Sequence, residues 1–301
     1  MTELTGRLGP YRIASDLGSG GMGRVYLADV VDAAPQVRAG DKVALKVIHP
    51  HLLETTGFFK RFLREADLGR QVCHENVVRT YDCDALMVEQ SQVNFLVMEY
   101  VEGQTLRDLM RELGRVPEEL CRHVGREIAK GLRAIHEAGA VHRDLKPENV
   151  LVTPDHDVKI MDLGVARLQE EVIRLSQTGQ FVGSVLYAAP EQFETLDAPP
   201  DGRSDLHALG VILYELATAS HPYQADDPAG AMRHILRAEP RRISELNPQL
   251  SPFYEELVHV LLQKDVEARP ESARQVAEIL GEGEDSRWWR EQAKAIRRTT
   301  K

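Results

Sequence analysis

The spacing of apolar residues changes near Gly103, and this change constrains the fold more than any other feature of the 301-residue chain. Before Gly103, apolar and polar residues alternate, which is typical of half-buried strands. After it, apolar residues recur every three or four positions, which is typical of helices. The sequence therefore predicts an α+β protein with a small antiparallel-sheet N-lobe that carries one helix and a larger, mainly helical C-lobe. The predicted N-lobe strands are 11–17, 24–30, 42–48, 77–82 and 94–100, and the predicted helix is 58–72.

Helix boundaries are clear in the C-lobe sequence. Pro117 is followed by two glutamates, which favour the positive end of a helix, and Gly139 ends the same segment. The apolar run 208–219 is too short to span a bilayer and predicts a buried core helix. The predicted C-lobe helices are 105–113, 117–138, 204–219, 228–238, 252–263 and 273–281. The expected boundaries are an N-lobe of about 10–98, a hinge at 99–103, a C-lobe of 104–281 and a polar, basic tail at 282–301.

Charge and cysteine content narrow the functional classes. The net charge of −10 argues against nucleic acid as the main partner, because a phosphate backbone requires clustered Lys and Arg. The acidic balance fits either simple solubility or a basic peptide substrate. The three cysteines form no Cys-x-x-Cys pair, which argues against a zinc knuckle or a thioredoxin-like site and fits a reducing cytosol. No signal peptide or membrane span is predicted, so we expect a cytoplasmic protein, tethered to a membrane only if the chain is a fragment.

The segment from His142 to Asn149 packs an acid, a lysine and a metal-binding amide into eight residues. Asp162 follows 13 residues after Asn149 and is itself followed by Leu-Gly. Phosphoryl transfer needs an acid to orient a hydroxyl, a cation near the moving phosphoryl group and oxygen ligands for magnesium. The segment therefore predicts phosphate chemistry.

Two N-lobe features predict a nucleotide site. Gly18, Gly20 and Gly23 form a Gly-x-Gly-x-x-Gly run that lets the backbone approach phosphates. A Rossmann site shares this spacing, but there the glycines open a helix, whereas here the chain continues as a strand. Lys46 lies near the end of the third predicted strand and Glu65 lies on the following helix, where the two could pair. The alternatives are a lysine on a solvated strand face and an ordinary exposed helix acid.

The order of the motifs resembles the eukaryotic-type protein kinase family. The motifs are Gly-x-Gly-x-x-Gly-x-Val, Val-Ala-Leu-Lys, His-Arg-Asp-Leu-Lys-Pro-Glu-Asn, Asp-Leu-Gly and Ala-Pro-Glu. The resemblance covers roughly residues 10–281, and the phrases Gly-Gly-Met-Gly and Pro-Glu-Gln are similar in particular to those of bacterial serine/threonine kinases.

The resemblance implies a role for each matching residue. Asp144 corresponds to the catalytic base for the substrate hydroxyl, and Lys146 to the lysine that neutralises the transferring phosphate. Asn149 and Asp162 correspond to the ligands of Mg²⁺, with Mn²⁺ as an alternative ion. Lys46, paired with Glu65, would contact the phosphates of ATP. The ATP site would be completed by the three glycines, by three residues that sandwich the adenine ring, by one residue that guards the back of the adenine pocket and by two hinge residues. These are, in that order, Gly18, Gly20 and Gly23; Val25, Ala44 and Leu151; Met98; and Glu99 and Val101.

Regulatory and structural roles are also implied by the resemblance. Arg143 would bind a phosphate group on the activation segment, roughly 162–191. Ser176 and Thr178 of this segment are the candidates for autophosphorylation, and the alternative is that they are solvated loop hydroxyls. Ser184 matches the position that contacts Asp144 and Lys146 and helps to select Ser or Thr substrates. Glu191 should pair with Arg269, and Asp205 should hold the backbone of the segment 142–149, which corresponds to the catalytic loop of the family.

The sequence therefore predicts an ATP-dependent serine/threonine protein kinase that acts on protein substrates and on itself. A pseudokinase scaffold would require the loss of Lys46, Asp144 or Asp162, and all three are present. A small-molecule phosphotransferase is a further alternative, against which the Ala-Pro-Glu motif argues. Glu102 and Glu148 lie near the positions where members of the family bind basic residues beside the target hydroxyl of the substrate, which implies a preference for basic peptides.

Several features depart from the family pattern or stay open. Leu163 stands where phenylalanine is commonest, and His207 where a larger aromatic residue is usual. The segments 32–41, 84–92 and 195–202 are expected to be long loops. Trp288-Trp289 and the basic tail could form a membrane-proximal segment, a partner-docking helix or a capping helix.

Overall fold

The chain forms two compact units, Met1–Glu102 and Gly103–Lys301. The computed structural model describes residues 6–54, 57–88, 91–163, 183–193, 200–225 and 227–299. The first unit is built on an antiparallel sheet and the second is mainly helical. The predicted α+β class is therefore confirmed, and the boundary between the units along the chain falls where the apolar spacing changes.

The first unit contains a sheet with the strand order β1-β2-β3-β4-β6-β5. Neighbouring strands pair in an antiparallel manner throughout. The strands are β1 Arg7–Leu8, β2 Tyr11–Gly20, β3 Gly23–Val30, β4 Lys42–Ile48, β5 Thr80–Val88 and β6 Ser91–Glu99, and the helices are α1 Pro50–Leu53 and α2 Phe58–Gln71.

One predicted loop of the first unit was wrong. The segment 84–92 lies mostly within β5 and β6, where Asp84 pairs with Phe95 and Val88 pairs with Ser91. β5 is the last strand of the sheet that the described residues form, and charged residues are common on such edge strands. Asp84 therefore belongs to a paired edge strand and not to a loop. The predicted loop at 32–41 does connect β3 to β4, whereas most of 195–202 lies outside the described residues.

The second unit is organised around a buried central helix. Its strands are β7 Gln104–Thr105, β8 Val150–Val152 and β9 Val158–Ile160, and its helices are α3 Leu106–Leu113, α4 Glu118–Glu137, α5 Arg203–Thr218, α6 Pro228–Arg237, α7 Ile243–Leu246, α8 Pro252–Leu261, α9 Ala273–Glu282 and α10 Arg287–Thr299. α5 buries nearly all of its residues and packs against α4 and α8, while α4 also packs against α9. The apolar run 208–219 is thus a core helix. Among the described residues, no helix is both long enough and apolar enough to cross a bilayer.

Side-chain caps set the starts of several helices. Thr105 accepts a hydrogen bond from the backbone N–H of Asp108, and Ser251 does the same for Tyr254. Such caps satisfy N–H groups that have no partner within the helix. α3 therefore begins one residue after its predicted start, because Thr105 acts as its cap.

The tail helix α10 packs through its two tryptophans. Trp288 and Trp289 meet the ring of Phe253 edge-on, with ring centroids 6.1 and 5.8 Å away. Phe253 lies on α8 and is fully buried. This is the arrangement expected of a capping helix.

Candidate active site

One face of the N-terminal sheet carries the side chains predicted to meet a nucleotide. Val25 pairs with Lys46 across β3 and β4, and Ala44 pairs with Met98 across β4 and β6. Directly paired residues share a face, as do residues two apart along a strand. The register therefore brings all four side chains to one face. The alternating residues form the hydrophobic core on the other face; they include Tyr26, Leu45 and Val97.

Lys46 and Glu65 are both buried. Lys46 is 5% exposed on β4 and Glu65 is 7% exposed on α2. A solvated strand lysine and an exposed helix acid, the two alternatives, are therefore excluded. Charged groups are stable in such surroundings only with partners of opposite charge or with hydrogen bonds.

The end of β6 is fixed by Arg79. The N–H of Glu99 donates to the carbonyl of Arg79 at 2.8 Å, and the Glu99 carboxylate accepts from the N–H of Arg79 at 3.2 Å. Met98 is buried, while Glu99 and Val101 are half-buried. Since the Glu99 N–H is engaged, a contact between Glu99 and an adenine ring would use its carbonyl.

The glycines of the Gly-x-Gly-x-x-Gly run meet different demands. Gly18 has φ 143°, which L-residues rarely adopt, and its N–H donates to the Asp16 carboxylate at 2.7 Å. Gly23 lies where β3 and β4 come close, so that a β-carbon there would lie 2.0 Å from the carbonyl oxygen of Val47. Around Gly20 the space is open. Only Gly23 is therefore required by packing alone.

Alanine at Gly23 should destabilise the first unit. The added β-carbon must displace the backbone of β4, and overpacking of this kind costs roughly 1–3 kcal/mol. Chemical denaturation of Gly23→Ala against Gly20→Ala checks this expectation, since a β-carbon at Gly20 meets nothing within 4 Å. Equal stabilities of the two variants would contradict it.

The catalytic loop holds the Asp144 carboxylate in one orientation. The ammonium of Lys146 donates to its two oxygens at 3.0 and 2.8 Å. The Asn149 amide donates to Oδ2 at 3.0 Å and to the Asp144 carbonyl at 2.8 Å. All three side chains are buried. The structure thus brings together the predicted base, the predicted phosphate-neutralising lysine and one predicted metal ligand.

The β8–β9 hairpin brings the two predicted metal ligands to the same end. Val150 pairs with Ile160, and the N–H of Met161 donates to the carbonyl of Asn149 at 2.9 Å. Asn149 directly precedes β8, and Asp162 follows two residues after β9 ends. Their amide and carboxylate oxygens are of the kind that Mg²⁺ prefers.

Asp205 anchors the backbone of the catalytic loop. Its carboxylate accepts hydrogen bonds from the N–H groups of His142 and Arg143 and from the His136 ring, each at 2.8 Å. Burial acts to raise the pKa of Asp205, but the hydrogen bond from His136 and the nearby His142 and Arg143 outweigh it and hold that pKa below its ordinary value. Asp205 therefore stays charged where it holds the loop.

His142 is a further residue of this loop, to which the sequence assigned no role of its own. Its Nδ1 accepts from the N–H of Asp144 at 3.3 Å, so its Nε2 carries the proton and donates to the Met161 carbonyl at 3.2 Å. The ring joins the catalytic loop to the residue before Asp162. Its place in the motif was the only available signal.

Arg143 and Asp162 share an unusual backbone conformation, with φ of 64° and 58°. Such strain in non-glycine residues is concentrated at functional sites. The Nε of Arg143 is buried and has no hydrogen-bond partner among the described residues. Its guanidinium therefore has capacity for another acceptor. Ser176, Thr178 and the side chain of Ser184 lie outside the described part of the chain.

Glu191 and Arg269 form a buried bidentate ion pair. The two nitrogen–oxygen distances are 2.7 and 2.9 Å. Ser204 donates to Glu191 at 2.8 Å, and Arg269 also donates to the carbonyls of Arg203, Gln263 and Lys264. Both charges are thus compensated away from water, which is the condition for a stable buried pair.

Arg107 is the main site residue that the sequence did not reveal. It contacts Glu148, Tyr187 and Glu215, which are 41, 80 and 108 residues away along the chain. Such distances leave no local signal. Arg107 thus binds Glu148, an acid that the family resemblance had placed near the basic residues of a substrate.

His207 is buried and His221 is half-buried, and the His221 ring meets Tyr187 of this network edge-on, with ring centroids 5.4 Å apart. His207 stacks on Tyr223 with a ring-centroid distance of 5.8 Å, which explains how histidine fills a usually aromatic position. Burial lowers the pKa of His221 to about 4 and that of His207 well below its ordinary value. Both rings therefore stay neutral in the folded protein at neutral pH.

Acid should destabilise the protein before its carboxylates titrate. Between about pH 6.5 and pH 4 the unfolded chain protonates these histidines while the folded protein does not, so stability falls as the pH falls. His221 alone contributes roughly 3 kcal/mol across this window. Chemical denaturation at several pH values should show a shallower decline for His221→Gln than for the wild type. His156→Asn, at an exposed histidine, should leave the decline unchanged; equal slopes for wild type and His221→Gln would contradict the assignment.

Comparison with known proteins identifies the family to which the chain is similar. A family model described as "Protein kinase domain" matches residues 11–280. The chain is 38% identical over 279 residues to the serine/threonine-protein kinase pkn2 of Myxococcus xanthus, covering 90% of this chain and 32% of that protein. It is 36% identical over 267 residues to the serine/threonine-protein kinase PknA of Corynebacterium glutamicum, covering 88% and 54%. It is 31% identical over 266 residues to PknB of Mycobacterium leprae, covering 88% and 42%.

The chain spans about a third to a half of the length of these relatives. Within that span it contains the motifs from the glycine run to Arg269, together with the sheet and the helical unit that carry them. The matched family model covers nearly the whole chain. The chain therefore belongs to the protein kinase family.

Proposed function

We propose that this chain is an ATP-dependent serine/threonine protein kinase. The observation that carries the proposal is the buried cluster of Asp144, Lys146 and Asn149. A carboxylate held beside an ammonium can accept the proton of a substrate hydroxyl while the cation stabilises charge on the transferring phosphoryl group. A lysine two residues after the aspartate is also the serine/threonine-type pattern of the family that the sequence resembles.

The other predicted site residues would bind the nucleotide and the metal ion. Asn149 and Asp162 would hold Mg²⁺, which supplies positive charge to the phosphates. Lys46, supported by Glu65, would contact the same phosphates beneath the glycine run. Val25, Ala44 and Leu151 would sandwich the adenine ring, with Met98 behind it and the Glu99 and Val101 backbone along its edge.

Regulation would act through Arg143. A phosphate placed on Ser176 or Thr178 by autophosphorylation would offer acceptor oxygens to the guanidinium, whose buried Nε lacks a partner among the described residues. Ser184 would contact Asp144 and Lys146, which lie on the side of the site where the substrate hydroxyl binds. The free cysteines are compatible with the reducing cytoplasm in which we place the protein.

The alternatives explain fewer observations. A pseudokinase scaffold has no need of a buried Lys46 or of an ordered Asp144–Lys146 contact. A small-molecule phosphotransferase does not bind a peptide beside its active site, so it would not need the Glu191–Arg269 pair to hold the end of the activation segment in place.

Calorimetry with MgATP tests the metal side of the proposal. Asp162→Asn should weaken Mg²⁺-dependent ATP binding by at least roughly ten-fold, the lower limit of losses seen when supporting groups of metal sites are removed. Asp155→Asn, at an exposed position between β8 and β9, is the matched control and should bind like the wild type. Unchanged binding by Asp162→Asn would exclude Asp162 as a metal ligand.

A further inference from the structure

Arg107 of α3 joins two acids and a tyrosine hydroxyl. Its Nε donates to Glu148 at 2.8 Å and its Nη1 to Glu215 at 2.7 Å. Tyr187 contacts the same guanidinium and donates to the second Glu215 oxygen at 2.5 Å. The guanidinium therefore neutralises two carboxylates that come from different elements of the second unit.

This network lies next to the catalytic loop. Glu148 belongs to the 3-10 turn Pro147–Asn149, and its neighbour Asn149 contacts Asp144. Adjacent Cα atoms are about 3.8 Å apart, and an extended peptide advances about 3.3 Å per residue. A substrate side chain two or three residues from the acceptor hydroxyl can therefore reach Glu148.

Without Arg107, this place would attract a cation. Glu148 and Glu215 would present two carboxylates, and a guanidinium fits such an arrangement through paired hydrogen bonds. The Arg107 side chain is 17% exposed and that of Glu215 15%, whereas Glu148 remains 46% exposed. The internal arginine thus takes the position that a substrate arginine would otherwise fill.

We propose that Arg107 is a specificity-determining residue that occupies this acidic subsite. The proposal rests on the proposed kinase function and narrows its substrate class. Substrates are proteins whose acceptor Ser or Thr needs no nearby arginine or lysine for recognition at Glu148. This replaces the preference for basic peptides that the sequence implied at Glu148.

Removal of Arg107 should open the subsite. We would compare Arg107→Ala and Arg107→Leu, the latter keeping an apolar stem, with Arg111→Ala, an arginine one turn further along α3 that is exposed and pairs with Asp108. Calorimetry with N-acetyl-arginine amide against N-acetyl-norleucine amide measures the subsite without any catalysis. Selective binding of the arginine amide by the Arg107 variants, and not by the wild type or Arg111→Ala, is expected.

Kinetics then connect the subsite to substrates. Two serine peptides would differ only by arginine or norleucine two or three residues before the acceptor. The KM ratio should stay within about two-fold for the wild type and Arg111→Ala, and shift by roughly ten-fold or more toward the arginine peptide in the Arg107 variants, as expected for a hydrogen-bonded charge pair. A lower KM for the arginine peptide at constant kcat would separate recognition from loss of structure.

Two results would overturn the proposal. One is a wild-type enzyme that already prefers the arginine peptide ten-fold. The other is a folded Arg107 variant that binds neither amide selectively. If no form of the protein phosphorylates either peptide, the kinase function fails, while selective arginine-amide binding by the variants would still identify Arg107 as the occupant of an acidic subsite.

Discussion

Asparagine in place of Asp144 should lower the rate of phosphoryl transfer by about 10²–10⁴-fold, the range contributed by a positioned general base. Asparagine keeps the size of the side chain but cannot accept the hydroxyl proton. It also removes the charge that faces Lys146 at 2.8 Å. Steady-state transfer from ATP to a generic protein substrate measures the effect.

Folding must be separated from chemistry in this test. Circular dichroism should report the same secondary structure for Asp144→Asn and for the wild type. Asp155→Asn removes an exposed carboxylate from the same unit and should keep full activity. An Asp144→Asn protein that retains wild-type turnover would show that Asp144 is not the base.

Loss of Arg269 should have the largest effect on stability. Arg269→Met leaves the Glu191 carboxylate buried without its cation, and breaking a buried pair in this way costs about 3–5 kcal/mol. The carbonyls of Gln263 and Lys264 lose their donors as well. Chemical denaturation measures the loss, and Arg274→Met, at an exposed arginine paired with Glu137, is the matched control.

A double-mutant cycle sharpens this expectation. The double variant Glu191→Gln/Arg269→Met should lose less stability than the sum of the two single variants, because it leaves no unpaired buried charge. Additive losses, or a single variant as stable as the control, would contradict the role of the pair.

The parts of the fold with long, regular patterns could be predicted from the sequence. β4 was predicted over the full range observed, and the apolar run in α5 predicted a buried helix because it is apolar on all sides. The edge strand β5 was predicted only in part: the predicted strand 77–82 covers its start, whereas the segment from the exposed Asp84 onward was expected to be a loop. β8 and β9 are three residues each, too short for any periodicity, yet their pairing places Asn149 and Asp162 at the same end of the hairpin.

The residues of the candidate site also divide into those that the sequence predicted and those that it did not. Residues within motifs, such as Asp144 and Asn149, were found because their spacing is local. Glu191 and Arg269 were paired only through the family resemblance, since 78 residues separate them. Arg107 belongs to no motif considered, and its role depends on partners that only the folded chain brings together.

Intact-mass analysis and peptide mapping after incubation with MgATP, with the wild type and Asp144→Asn treated alike, show whether the chain transfers phosphate and to which residues. We expect phosphate on serine or threonine residues of the wild-type chain, with Ser176 or Thr178 among them, and none on Asp144→Asn. Unmodified wild type that also fails to label a generic protein substrate, or equal phosphate on both proteins, would contradict this expectation.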